Sequence, residues 1–424
     1  MSFQHDHSAF HGKQIEVQFN CDEVLCACTD ETGVITAGNS AFERVSGFDW
    51  GELEKAPHSL LRHPDMPKGM FHHIWSVLQS GKSVAAYILN QSKTGDAYWV
   101  FCVMAPIEGG YLSMSFKPSS DIFDAVRQIY STALEQEKAG LSAQDSSAHI
   151  LSAIQDLGYV DYANFEAQAL GAEGQARDKI LGRVSNKLST TLTDMSTALM
   201  ALGAEQEKLF GFFKAIRGIP SNMRIVASRL EPAGGPISAI SQNYRLMSDE
   251  VHGHLKGFKI EGEKETVSAA VSARVQNVVF LVSASALFGE LSDTLMSRDN
   301  AVEGGVSNVD VASEAKALRT QFSKDAVQAL NGVSRDVVGL ARSSKDMRQL
   351  VAGLDSIRVL CRVEAGRLGA NSVSLTPVID QLDKFHKEID RSLEQILFQA
   401  DKISSCLETV MKNSAMVSAS RLRR

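Results

Sequence analysis

The sequence predicts two parts of different class: an α+β domain built on a five-stranded antiparallel sheet with short helices, then an all-α region of long antiparallel helices forming a four-helix bundle or coiled coil. Three observations carry this. All three tryptophans, Trp50, Trp75 and Trp99, lie before residue 100. No proline falls between Pro118 and Pro220 or between Pro236 and Pro377, and long helices require such proline-free spans. The apolar pattern also turns helical from Ser120 onward. With 424 residues, two or three folding units are expected, and 44% hydrophobic residues exclude wholesale disorder.

Residues 1–19 read as a flexible leader, rich in histidine and without the apolar stretch of a secretion signal. Residues 20–118 form the α+β domain. Val24–Cys28 and Val34–Ala37 are short apolar runs joined by the turn-forming Thr29-Asp30-Glu31-Thr32-Gly33. A helical pattern begins at Ser40. Val84–Leu89, Ala97–Pro106 and Tyr111–Phe116 read as three antiparallel strands, with hairpin turns at Lys93-Thr94-Gly95-Asp96 and Glu108-Gly109-Gly110.

Residues 119–173 read as connecting helices, starting with Asp121–Glu137. From 174 to 424 the chain reads as a long helical bundle. Apolar residues recur at heptad-like steps, as in Leu181, Val184, Leu188, Leu192, Met195 and Leu199, again from Leu330 to Leu354, and again from Leu382 to Val410. A second long helix, Ile237–Leu291, is less regular and carries Gly253, Gly257 and Gly262. Breaks fall at Pro220–Pro236, Asp299–Ser307 and Gly366–Pro377. The segments Met223–Glu231 and Ile357–Glu364 resemble one another, which predicts two tandem hairpins with tips near 220–236 and 357–377, side by side at one end.

A net charge of −7 offers no face for neutralising phosphates, so nucleic acid is not an expected partner. The most apolar stretch, Val278–Phe288, is too short and too polar to span a membrane, and a cytoplasmic protein is expected. Six cysteines in so long a chain are no disulfide framework. Adjacent histidines such as His72 and His73 face different ways on a helix, so no metal site is expected. There is no GxSxG, P-loop, HExxH or kinase motif, and no enzyme is expected.

The polar and aromatic signals concentrate in the first domain: Asn39, Arg62-His63-Pro64-Asp65-Met66-Pro67, Trp75, Asn90 and Tyr98-Trp99. The order of elements resembles a PAS domain. The run Arg62–Pro67, the segment Gly33–Phe42 and the segment Lys93–Val100 resemble the PAS domain of aerotaxis receptors. That resemblance implies a cleft that binds FAD, lined or supported by Asn39, Arg62, His63, Asp65, Trp75, Asn90 and Trp99. The chemistry is suitable: an arginine holds a pyrophosphate bidentately, a tryptophan stacks on a ring system, and an asparagine amide both donates and accepts. Haem is the alternative cofactor, with His58, His63, His72 and His73 as candidate ligands. An empty cleft serving as a dimerisation or docking module is the other. In a bland reading Trp75 is core and Arg62 pairs with Asp65.

A second resemblance concerns the helices. Val363–Gly369 resembles the hairpin tip of chemoreceptor signalling domains, and Asn222 and Glu231 keep that family's spacing. The resemblance implies signalling partners, such as a chemotaxis-type coupling protein or kinase, at Met223, Arg224, Arg229, Glu231, Arg358, Arg362, Glu364 and Arg367. It departs from the family in the prolines at the first tip and in lacking a membrane anchor, and it is compatible with a homodimer.

Overall fold

The computed structural model describes residues 16–183, 187–216, 218–230, 234–255, 258, 266–296, 302–304, 308–369 and 375–421. The expected leader and the tip residue Glu231 lie largely or wholly outside them.

The five expected strands form as read: β1 Leu25–Asp30, β2 Ile35–Asn39, β3 Val84–Gln91, β4 Ala97–Ile107 and β5 Gly110–Phe116. Between β2 and β3 lie the short helices α1 (Ser40–Ser46) and α2 (Trp50–Leu53), a 3-10 turn at His58–Leu61, and α3 (Lys68–Gln79). The β1–β2 turn needs glycine. Gly33 has φ +84°, and a Cβ there would lie 3.1 Å from the Trp75 ring. The sequence pattern places the β3–β4 turn correctly, and Asn90 pairs directly with Tyr98 across that hairpin.

The sheet runs β3-β4-β5-β1-β2 and then gains a sixth strand. The segment Asp299–Ser307, expected only as a break between helices, contains β6 (Val302–Gly304), which pairs antiparallel with Ala37–Asn39. This covers an edge that would otherwise expose unpaired backbone groups. At the other edge, side chains do the same work. Tyr162 donates to the Ala85 carbonyl (2.9 Å), Ala85 N–H donates to Glu166 (2.9 Å), and Tyr130 donates to the Tyr87 carbonyl (3.2 Å).

Three helices follow the sheet: α4 (Ile122–Lys138), α5 (Ala143–Asp156) and α6 (Tyr162–Ile180). The junction at Ser119-Ser120 is pinned by the buried Glu173 of α6. Its carboxylate accepts from Ser119 N–H (2.6 Å), Ser120 N–H (3.1 Å), the Ser120 hydroxyl (2.7 Å) and the Tyr87 hydroxyl (2.8 Å).

The long helices are α7 (Lys187–Ile216), α8 (Ile219–Arg229), α9 (Gly235–Leu255), α10 (Val267–Leu295), α11 (Asn308–Leu368) and α12 (Thr376–Arg421). The expected single helix Ile237–Leu291 is thus two, α9 and α10. Pro220, Pro236 and Pro377 each sit in the first turn of a helix, where no intrahelical N–H is lost.

Compact units do not follow the sequence boundaries. One unit comprises 1–189 with 276–327, the other 190–275 with 328–424. In the first, the paired ends of α10 and α11 pack with the sheet domain. Arg177 of α6, 2% exposed, donates to the Cys21 carbonyl (2.6 Å) and to both Glu290 carboxylate oxygens of α10 (2.7 and 2.9 Å). Burial alone would raise the Glu290 carboxyl, but hydrogen bonds from Arg177 and Arg183 hold it below the usual carboxylate range. By length and composition α10 suffices to cross a membrane, but 61% of its most apolar window is buried in protein.

In the second unit, α7 pairs antiparallel with α12 through Phe213–Phe385 (5.7 Å) and Glu205–Ser392 (2.9 Å). Helix α11 pairs with α12 through Arg348–Asp390 (2.9 Å) and Arg358–Asp383. Helix α8 also packs on α12.

Candidate functional site

Alternation along the strands turns Leu25, Ala27 and Thr29 of β1, Ile88 and Asn90 of β3, Tyr98, Val100, Cys102 and Met104 of β4, and Ser113 and Ser115 of β5 toward one face. Phe42 of α1, His58 of the 3-10 turn, and Phe71, Ile74, Trp75 and Leu78 of α3 close over it. The result is a cleft of about 740 Å³ of space between atoms, its open mouth included. The lining is mostly apolar, with few polar groups converging on it, as small-molecule sites are built.

The expected site residues divide. Trp75 and Asn90 line the cleft. Trp75 packs edge-on to Tyr111 at 5.5 Å, and Asn90 is 8% exposed. Arg62 is half-buried beside the cleft. Its guanidinium lies 4.4 Å from the ring centroid of Phe71, a wall residue, and its backbone bridges to Asn90. Desolvation lowers its pKa, and the Glu137 carboxylate opposes that shift.

Asn39, His63 and Asp65 support the wall instead of lining it. Asn39 is buried and caps α1. Its Oδ1 accepts from Phe42 N–H (3.0 Å) and Cys26 N–H (3.0 Å), while Nδ2 donates to the Val24 carbonyl (2.7 Å). His63, 2% exposed, accepts the Asp65 N–H at Nδ1 (3.0 Å), and its backbone N–H donates to the Leu89 carbonyl (3.3 Å). Burial lowers its pKa, with the Asp65 carboxylate opposing. Asp65 pairs with Lys138 (3.3 Å), not with Arg62. The Arg62–Pro67 run therefore latches the start of α3 to β3 and to α4.

Trp99 requires a correction. It lies one residue out of phase with Tyr98 and Val100, on the opposite face of the sheet, where it packs against Phe123 (5.2 Å) and Tyr130 (6.2 Å) of α4. Tyr98 takes its place in the cleft. Its hydroxyl is buried and has no hydrogen-bond partner among the described residues.

His58 is the histidine that lines the cleft. It stacks on Phe42 at 6.3 Å, and desolvation pulls its pKa down to about 4, leaving the ring neutral at pH 7. His73 lies instead against Tyr162 at 4.2 Å. The sequence named His58 only as one of four histidines. Strand alternation, applied with Asn90 fixed as inward-facing, finds Tyr98 but not His58, whose place depends on the 3-10 turn.

At the tips, Arg224, Arg229, Arg362 and Arg367 are exposed. Met223 is fully buried, so it packs inside the unit instead of facing a partner. Arg358 is paired with Asp355 and Asp383, Arg362 with Asp383, and Arg367 with Glu364. Beside them, Ile225, Val359, Leu360 and Val363 are exposed aliphatic residues that the sequence reading did not single out.

The sheet, its covering helices and the cleft define a PAS domain, and the model of the PAS fold matches residues 35–114. This region is similar to the aerotaxis receptor of Escherichia coli (strain K12), with 37% identity over 114 residues, or 26% of this chain and 22% of the receptor. The match thus spans about a fifth of that receptor's length. Among solved structures, the PAS domain of a protein from Colwellia psychrerythraea is 24% identical, over 22% of this chain and 85% of its own, with TM-score 0.20. The blue-light activated histidine kinase EL346 of Erythrobacter litoralis is 12% identical, over 71% of this chain and 87% of its own, with TM-score 0.24.

Proposed function

We propose that this chain is a cytoplasmic sensor of redox, oxygen or energy state, with FAD in the PAS cleft and a chemoreceptor-like helical output. The observation that carries the reading is the cleft itself: a mostly apolar slot in an aerotaxis-receptor-like domain, with Trp75 on one wall and Asn90, His58 and Tyr98 among its polar points. These residues suit a flavin. Trp75 and Phe71 supply aromatic faces, Asn90 supplies a donor and an acceptor, and Arg62 stands beside the wall as a cation for phosphate. A bound flavin would supply reversible electron and proton uptake. A change in hydrogen bonding at Asn90 is then a local event that the sheet can pass on.

For the output, we read the long helices as a four-helix arrangement whose paired tips present exposed arginines and the aliphatic residues Ile225, Val359, Leu360 and Val363 to a signalling partner of the chemotaxis type. A second reading, a haem sensor, draws on one observation: a neutral imidazole, His58, lines the cleft.

The absorption spectrum of the purified full chain tests the choice. Flavin bands are expected, and they should fall at least several-fold per protein in the Trp75→Ala and Asn90→Ala variants. A Soret band lost on His58→Ala would establish haem instead. A colourless protein that takes up neither cofactor would overturn both.

A further inference from the structure

Tyr98 is a buried phenol in the cleft wall. It is 0% exposed, its ring packs edge-on against Phe19 at 6.4 Å, and its hydroxyl has no partner among the described residues. Leaving such a group unpaired opposes folding, so a buried phenol hydroxyl in this mostly apolar wall calls for a ligand. Burial raises its pKa, so it stays a neutral phenol able to donate. Directly across the β3–β4 ladder stands Asn90, whose side chain also faces the cleft. Side chains so paired have Cβ atoms about 5 Å apart.

Together the two present a donor, an acceptor and a second donor: the Asn90 amide N–H, the Asn90 amide oxygen and the Tyr98 hydroxyl. The complement is an imide edge, in which an N–H lies between two carbonyls. We propose that Tyr98 is a binding residue, and that it and Asn90 together clamp the imide edge of the cleft's ligand. The inference rests on the flavin reading above, since the flavin pyrimidine ring carries such an edge and a porphyrin does not.

Tyr98→Phe separates this role from a packing role. The substitution removes the unpaired hydroxyl and keeps the ring. In the flavin-stripped full chain it should therefore raise Tm by a few degrees. In the loaded protein it should instead weaken FAD binding by about tenfold, the loss of one hydrogen bond in the cleft. That crossing, more stable empty and looser loaded, is not the signature of a packing residue. Vibrational spectroscopy gives a readout free of stability: one flavin carbonyl stretch should move to higher frequency in the variant. In the wild-type protein the same stretch should sit at the lowered frequency of a hydrogen-bonded carbonyl. A flavin-loaded protein whose FAD affinity and carbonyl frequencies are the same with Tyr98 or Phe at this position would overturn the clamp and leave the flavin reading intact. A wild-type chain that carries no flavin would overturn both.

Discussion

Burial pushes the His73 imidazole down to about 4 and the Glu166 carboxyl up to about 8, and the two act on opposite limbs of the stability curve. His73 folds as the neutral ring. Its contribution is fully present above the unfolded value near 6.5 and is lost as pH falls toward 4. Glu166 folds as the protonated acid, so its contribution is present below about 4.5 and is lost as pH rises through 8. His73→Phe should flatten the acid fall in Tm between pH 6.5 and 4. The recovered stability is on the order of 2 kcal/mol, less than the full shift because the ring is partly solvated. Glu166→Gln keeps an acceptor for the Ala85 N–H and should flatten the alkaline limb instead. Thermal melts across pH 4–9 that are unchanged in both variants would refute these assignments. At this scale Asn90 and Trp75 were legible, because their residue types fit ring recognition. Tyr98 was hidden behind Trp99 by a one-residue phase error, since both are large aromatics and only the strand pleat tells them apart. Asn39 was named from the resemblance as lining or supporting the cleft, and its three hydrogen bonds are spent on the β2–α1 junction.

The elements the sequence made legible are those defined by local signals. The β1–β2 turn carries a glycine with φ +84°, the hairpin turns carry Gly95 and Gly109, also at positive φ, and three prolines mark helix starts. What local signals do not encode is pairing between distant segments. Strand β6 has only three residues and exists because the β2 edge, more than 260 positions earlier, accepts it. If that pairing protects the edge, Val302→Pro should speed amide exchange at Ala37–Asn39 by tenfold or more, with the β3–β4 ladder unaffected as an internal control. Unchanged exchange at those amides would show that β6 does not hold the edge in solution. The break of the second long helix into α9 and α10 was foreshadowed by its glycines but not placed, because tertiary packing decides where a weak helix stops.

For the molecule as a whole, the consequence is a route from cleft to helices that sequence order conceals. Phe42 lines the cleft and touches Gly38, where a Cβ would stand 2.7 Å from its ring. Gly38 and Asn39 pair with β6, and β6 joins α10 to α11. The ion pair between buried Arg177 and half-buried Glu290 holds α10 to the same unit. Part of the long-helical region therefore belongs to the PAS domain's own compact unit, not to a separate domain reached only through α4. A change in the cleft then has packed neighbours through which to bias the helices, the condition for a population shift. The direct measurement is hydrogen exchange on the full flavin-loaded chain, oxidised against chemically reduced. Altered protection is predicted in β3 and β4 around Asn90 and Tyr98, and also in β6 and the adjoining ends of α10 and α11. Identical exchange in both redox states, or a change confined to the cleft strands, would contradict the account.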